Sequence, residues 1–161
     1  MPLTFRNSFY VGLLAAFVIS IWLVRLWGAE KQVRLHSEHL VHQVERRSWS
    51  AVENSVARDY RDEWGDDRAR LLARLRLAGR FCFDLTITAS ETQTQVNPPL
   101  GTWRARIRLD GRGEGAGEIT SRVNSLTTPF VLDWRRESWK PWDWKLVRVT
   151  NESLEIPEGE F

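Results

Sequence analysis

The chain holds a single cysteine, Cys82. No disulfide can close within it, and no metal site built from several thiolates can form. Lysine is scarce, three residues against twenty arginines, and the acids nearly cancel both, leaving a net charge of +2 over 161 residues. A nucleic-acid binder carries a denser basic patch, so that class is set aside. Repeats and low-complexity stretches are missing. With 42% hydrophobic and 27% charged residues, the composition is that of a folded chain. The length suits one domain with an appendage.

What is present is a long apolar run. Phe9 to Val24 reads FYVGLLAAFVISIWLV without a charge, and with Leu26 and Trp27 the stretch covers 9–27, broken only by Arg25. As helix, that length rises roughly 28 Å, close to the hydrocarbon thickness of a bilayer. Tyr10, Trp22 and Trp27 suit the interfacial belts, and Arg25 can snorkel. A cleaved signal peptide would put Ala29 before the cut but Trp27 where a small residue is required. The expectation is an uncleaved single-pass helix over 9–27, with membrane lipid as its partner, after a short segment 1–8. The flanking charges, Arg6 before and Arg25, Lys31 and Arg34 after, barely discriminate orientation. The reading places the domain on the extracytoplasmic side of a bacterial inner membrane, the usual side for a short N-terminal anchor.

Beyond residue 28 the apolar rhythm is first helical. Val33, Leu40, Val41 and Val44 recur at helical spacing, and Trp49, Val52, Val56 and Tyr60 form a stripe spaced by 3, 4 and 4. Gly65 breaks it. Asp66 or Asp67 then caps a third helix with Leu71, Leu72, Leu75 and Ala78 on one face, and Gly79 stands where that helix should stop. From Phe81 the period becomes two: Phe81, Phe83, Leu85 and Ile87 alternate with polar residues. Asn97-Pro98-Pro99 interrupts, and Trp103, Ala105, Ile107 and Leu109 resume, alternating with Arg104, Arg106 and Arg108. The glycines at 111, 113, 115 and 117 read as a turn. A long strand is expected from Glu118 to Arg136, with Phe130, Leu132 and Trp134 in phase. Trp139 to Trp142 reads as a hairpin loop, Asp143 to Asn151 as a last strand, and 157–161 as a loose tail. Helices first and an antiparallel meander after them make an α+β domain over 28–156, about three helices on a curved four-stranded sheet.

This order resembles the nuclear transport factor 2-like (cystatin-like cone) superfamily. The pieces that carry the resemblance are Trp49-Ser-Ala-Val-Glu, Asp59-Tyr60-Arg-Asp-Glu-Trp64-Gly, Asp67-Arg68 with Leu71-Leu72 and Leu75, Pro129-Phe130-Val-Leu-Asp-Trp134-Arg-Arg, and Trp142-Asp-Trp144-Lys-Leu-Val-Arg-Val. The resemblance implies a sheet wrapped on helices around a cavity, and often a homodimer through the sheet. It implies no single activity, since enzymes and non-catalytic modules share this fold.

Isomerases of that superfamily set a carboxylate base and a Tyr or protonated Asp donor into the cone. Tyr60 could be such a donor. Asp84 and Asp133 fall out of phase with the inward strand positions, and Asp59 is beside its stripe rather than on it, so no catalytic residue is nominated. His36, His39 and His42 cannot all meet one metal, because the first and last are turned about 240° apart on a helix. No metal and no cofactor is expected. Arg104, Arg106 and Arg108 suit cross-strand pairing with acids such as Asp84 and Asp133, or a dimer face. Tyr60, Trp64, Trp103, Trp134 and Trp144 are the candidates to line the cavity. The sequence thus reads as a membrane-anchored, non-catalytic binding or assembly module. Its partner would be a membrane-associated protein or a second copy of itself. The alternative is a small-molecule binder or an isomerase- or dehydratase-like enzyme using the cone.

Overall fold

The computed structural model describes residues 5–26 and 28–154. Trp27 and the tail 157–161 lie outside them. The chain opens with helix α1, Phe5–Leu26, which begins within the segment 1–8. Its side chains are described from Tyr10 to Trp22, and all of these are exposed. Among the described residues no helix is long and apolar enough to cross a membrane. The structure therefore does not itself carry the span expected over 9–27, because the described apolar side chains cover only part of it.

The domain follows as α2 (Ala29–Glu45), α3 (Trp49–Ser55), α4 (Arg68–Phe81), β1 (Phe83–Asn97), β2 (Leu100–Arg112), α5 (Ala116–Asn124), β3 (Phe130–Arg136) and β4 (Trp144–Thr150). The strands make one antiparallel sheet in the order β1-β2-β3-β4. The α+β architecture is as the sequence implied, with one helix more. Trp103, Ala105, Leu132, Trp134, Trp144 and Leu146 are buried on one sheet face and cluster with Val33 and Leu40 of α2, Val52 of α3 and Leu72 of α4. Those helices cover the apolar face and leave Arg104 and Arg108 exposed on the other. The pairing expected on that outer face is only partly of the foreseen kind. Arg106 meets Glu91 at 3.4 Å, while Asp133 accepts a hydrogen bond from Thr102 Oγ1 at 2.9 Å.

Three local expectations are corrected. The stripe Trp49-Val52-Val56-Tyr60 does not stay helical: α3 ends at Ser55, and Val56 is extended. There the backbone turns to the free edge of β4, where Ala57 N–H donates to the Leu146 carbonyl at 2.9 Å and Arg61 N–H to that of Val147 at 3.2 Å. An unpaired strand edge outcompetes another helical turn, and Val56 and Tyr60 stay buried all the same. Gly79 is not a helix stop. It is buried inside α4, and a Cβ there would fall 2.7 Å from the Trp49 ring, so its missing side chain lets α4 and α3 approach. The helix N-cap is as foreseen, with Asp67 accepting from Arg70 N–H at 2.9 Å.

The strand expected from Glu118 is instead α5, and β3 begins only at Phe130. Ala116, Ile119 and Val123 repeat at helical, not strand, spacing, and Gly115 at φ +83° supplies the left-handed turn before them. Asn124 then pins the helix end to β2, accepting from Leu109 N–H and donating to its carbonyl, each at 2.8 Å. At the other edge of the sheet, Ile87 N–H of β1 donates to Glu45 Oε1 at 2.8 Å. A register shift between Ser90 and Gln93, around Glu91 at φ +53°, bends β1.

Candidate functional site

Between the sheet and the helices lies a cavity of about 310 Å³. Its wall takes Leu40 and Val44 from α2, Leu75 and Ala78 from α4, Ile107 from β2 and Ile119 from α5, with Trp49, Trp103 and Cys82 among the larger or softer groups. Among the described residues that line it, none carries a carboxylate, imidazole, hydroxyl or ammonium. The void follows from the pairing of small residues with large ones. Gly79 admits the Trp49 ring beside the void, Ala78 adds only a methyl to the wall, and Ile119 and Val123 of α5 line one side. The Cys82 thiol is buried in the wall, and the turn after α2 is tied beneath it, as Arg47 donates to the Cys82 carbonyl.

The five aromatic candidates part company. Trp103 is fully buried and belongs to the cavity wall. Its indole Nε1 is buried with no hydrogen-bond partner among the described residues. Trp134 and Trp144 are buried in the core beside the cavity. Trp144 Nε1 donates to the Pro141 carbonyl at 2.9 Å, whereas Trp134 Nε1 is without a partner among the described residues. Tyr60 is buried beneath the segment along β4, its hydroxyl donating to Asp62 at 3.3 Å. Trp64 is half-buried and donates to the Leu154 carbonyl at 2.9 Å.

A polar network that the sequence did not single out surrounds Asp62. Its carboxylate accepts from the backbone N–H of Trp64 at 3.1 Å and of Asp66 at 2.8 Å, besides Tyr60. Burial pushes the Asp62 carboxyl above its ordinary range, and burial with the nearby Asp62 charge pushes the Tyr60 phenol up. Asp66 is buried against Arg74 Nε at 2.7 Å. The partners are the Tyr60 hydroxyl, two backbone amides of the loop and Arg74 of α4, so the network shapes the 61–67 turn, and none of these residues lines the cavity. Asp59 is held by Arg135 through two bonds of 2.9 and 2.8 Å, and that guanidinium keeps its carboxyl below the usual range. Among the described residues no group of His, Cys, Asp and Glu could hold a metal ion. His42 instead faces Glu45 at 3.2 Å.

His36 is the one histidine drawn into the core. Its ring lies 5.8 Å from that of Trp134, and Nε2 donates to the Trp142 carbonyl at 2.9 Å. Burial lowers its pKa from 6.5; the Trp142 carbonyl opposes this, His39 and Lys145 add to it and Asp143 offsets part. A folded-state pKa below the unfolded one means that the unfolded chain takes up the proton first. The stability His36 contributes is thus complete above pH 6.5 and declines as pH falls through that value toward the folded pKa. Melting temperature is expected to drop between pH 7.5 and 5.5, and His36→Gln, which keeps a donor but does not titrate, is expected to flatten that segment. An unchanged slope in the variant would assign the pH response elsewhere.

No family model matches the sequence. No curated protein matches it. Solved structures do match in shape. A nuclear transport factor 2-like protein of unknown function from Pseudomonas putida superposes with a TM-score of 0.56 at 14% identity, over 75% of this chain and 83% of that one. One from Rhodospirillum rubrum, described as of unknown function in nutrient uptake, gives 0.56 at 18% identity, over 76% and 98%. A candidate ketosteroid isomerase from Shewanella frigidimarina gives 0.56 at 13%, over 76% and 95%. At such identities the likeness is one of fold. The domain has the fold of the nuclear transport factor 2-like, cystatin-like structures.

Proposed function

We propose that the chain is a non-catalytic binding module, held at a membrane by α1, whose cone cavity takes a small apolar ligand bearing one hydrogen-bond acceptor. The observation that carries this reading is the composition of the cavity wall. General acid–base chemistry needs a titrating group within hydrogen-bond reach of the reacting atom. Here the described wall offers only hydrocarbon, one thiol and two indoles. Asp59, Asp84 and Asp133, the acids an isomerase-like mechanism would have called on, are absent from it.

Size and polarity define the ligand. An apolar cavity of about 150 Å³ holds benzene; one of twice that volume suits two fused rings or a short acyl chain. Trp103 Nε1 is buried without a partner among the described residues, and an acceptor oxygen on a ligand that reached it would satisfy it. Support for membrane attachment comes from α1. Val11, Leu13, Leu14, Phe17, Val18, Ile19 and Trp22 are all exposed along it. A contiguous apolar surface of that kind requires cover, and lipid matches its lack of charge.

N-phenylnaphthylamine, an apolar fluorophore, tests the cavity. With the chain in lipid vesicles, saturable enhancement is expected above that of Ala78→Phe, which places a ring in the cavity. Comparing the two at equal lipid cancels partitioning of the dye into the bilayer. Equal enhancement from both proteins would overturn the reading.

A further inference from the structure

Outside α1, five large apolar side chains are strongly exposed among the described residues: Leu35 at 42%, Phe81 at 46%, Trp142 at 50%, Leu100 at 56% and Trp139 at 83%. Four of the five gather at one end of the domain. Leu100 pairs with Arg135, and Arg136 N–H donates to the Pro99 carbonyl at 2.8 Å, so the β1–β2 turn lies against the start of the β3–β4 loop. That loop carries Trp139 and Trp142, and the Trp142 carbonyl is bound by His36 of α2. A Cβ on Gly101 would fall 2.6 Å from Val33, which places the same turn against the first half of α2. The two turns and the start of α2 therefore form one rim.

The rim stands where the chain enters the domain. Helix α1 ends at Leu26 and α2 begins at Ala29. Leu35 and His36 are only about 9–11 Å along α2 from its first residue. So the exposed aromatics lie beside the point from which the apolar helix departs. Indole rings, apolar with one polar edge, concentrate at the boundary between headgroups and hydrocarbon.

We propose that this rim, Trp139, Trp142, Leu100 and Leu35, docks into the headgroup layer of the bilayer. The inference rests on the reading of α1 as lipid-covered, and it adds an orientation. The domain lies against the membrane on this end, and the far end of β2 points away. Arg112 there is roughly 40 Å of strand from Leu100.

The test uses the full chain in phosphatidylcholine–phosphatidylglycerol vesicles with brominated acyl chains. An environment-sensitive nitrobenzoxadiazole label is placed at Lys140→Cys, within the rim, or at Arg112→Cys. The wild-type chain, whose only thiol is buried, gives the background. Flotation of the vesicles reports attachment separately. The expected result is attachment of both proteins, with blue-shifted and quenched emission at 140 and little change at 112. Adding Trp139→Ser and Trp142→Ser should abolish the quenching at 140 while the chain still floats. Flotation with equal quenching at both positions would overturn the rim and leave α1 standing, whether water or a partner protein covers it. Failure to float would overturn both.

Discussion

Replacing Leu14 and Phe17 by arginine is expected to strip the protein from vesicles while leaving its domain folded. Both side chains are exposed near the middle of the described part of α1. An arginine at the centre of a lipid-embedded helix costs about 2.5–3.5 kcal/mol on the scale derived from insertion. Two of them cost roughly 5–7 kcal/mol, or four to five powers of ten in partitioning. Neither Leu14 nor Phe17 belongs to the core cluster, so the melting temperature of the domain should not move. The measurement is flotation with vesicles beside a thermal melt of the same preparations. If the double variant floats like the parent, lipid is not what covers α1. If the melt shifts as well, α1 packs on the domain in solution.

The second large effect concerns the cavity wall. Trp103→Ala should cost about 3–5 kcal/mol, the range for deleting a large buried aromatic. Against a whole-domain stability of about 5–15 kcal/mol, that removes a large share of it. At about 4 °C per kcal/mol, the melting temperature should fall by roughly 12–20 °C. Trp103→Phe is the informative companion. It keeps a ring in the wall and discards the indole N–H, which has no partner to lose among the described residues. Its cost should be less than half that of the alanine variant. At the same time it should weaken any ligand held by that N–H. A phenylalanine variant as unstable as the alanine one would mean that the indole nitrogen is bonded in solution, and the polar half of the proposed ligand would be withdrawn.

Much of this core could be read from the chain, for a definite reason. Trp103, Leu132, Trp134, Trp144 and Leu146 announce themselves because side chains on a strand alternate faces, and a water-avoiding face must find cover. The stripe from Trp49 to Tyr60 shows the limit of such reading. Its spacing told which side chains turn inward, and they do. It could not tell that after Ser55 the backbone leaves the helix, since that depends on the bare edge of β4, ninety residues on in the sequence. Helix α5 was hidden by its neighbours. Ala116, Ile119 and Val123 carry a helical signature, but it is short and embedded among glycines, and it was absorbed into the strand that follows.

The site was less legible than the fold. Of the five aromatics singled out, Trp103 alone joins the cavity wall, because volume left over between packed faces is a difference between large numbers that no single residue announces. Gly79 is the one local signal that could have been followed. A glycine within a strong helix usually marks a close approach, and here it admits the ring of Trp49 next to the void.

The treatment of β1 has a bearing on how the protein behaves when crowded. One amide on its length is already spent on Glu45, and the bulge at Glu91 throws the remaining ones out of step. A strand from another molecule arriving at that border finds no continuous row of donors and acceptors to copy. Confinement to a surface raises local concentration many-fold, and a sheet with a clean rim would then template its neighbours into fibres. This one is finished at both borders, at one by the segment from Val56 to Arg61 and at the other by a carboxylate and a kink, so crowding need not become aggregation.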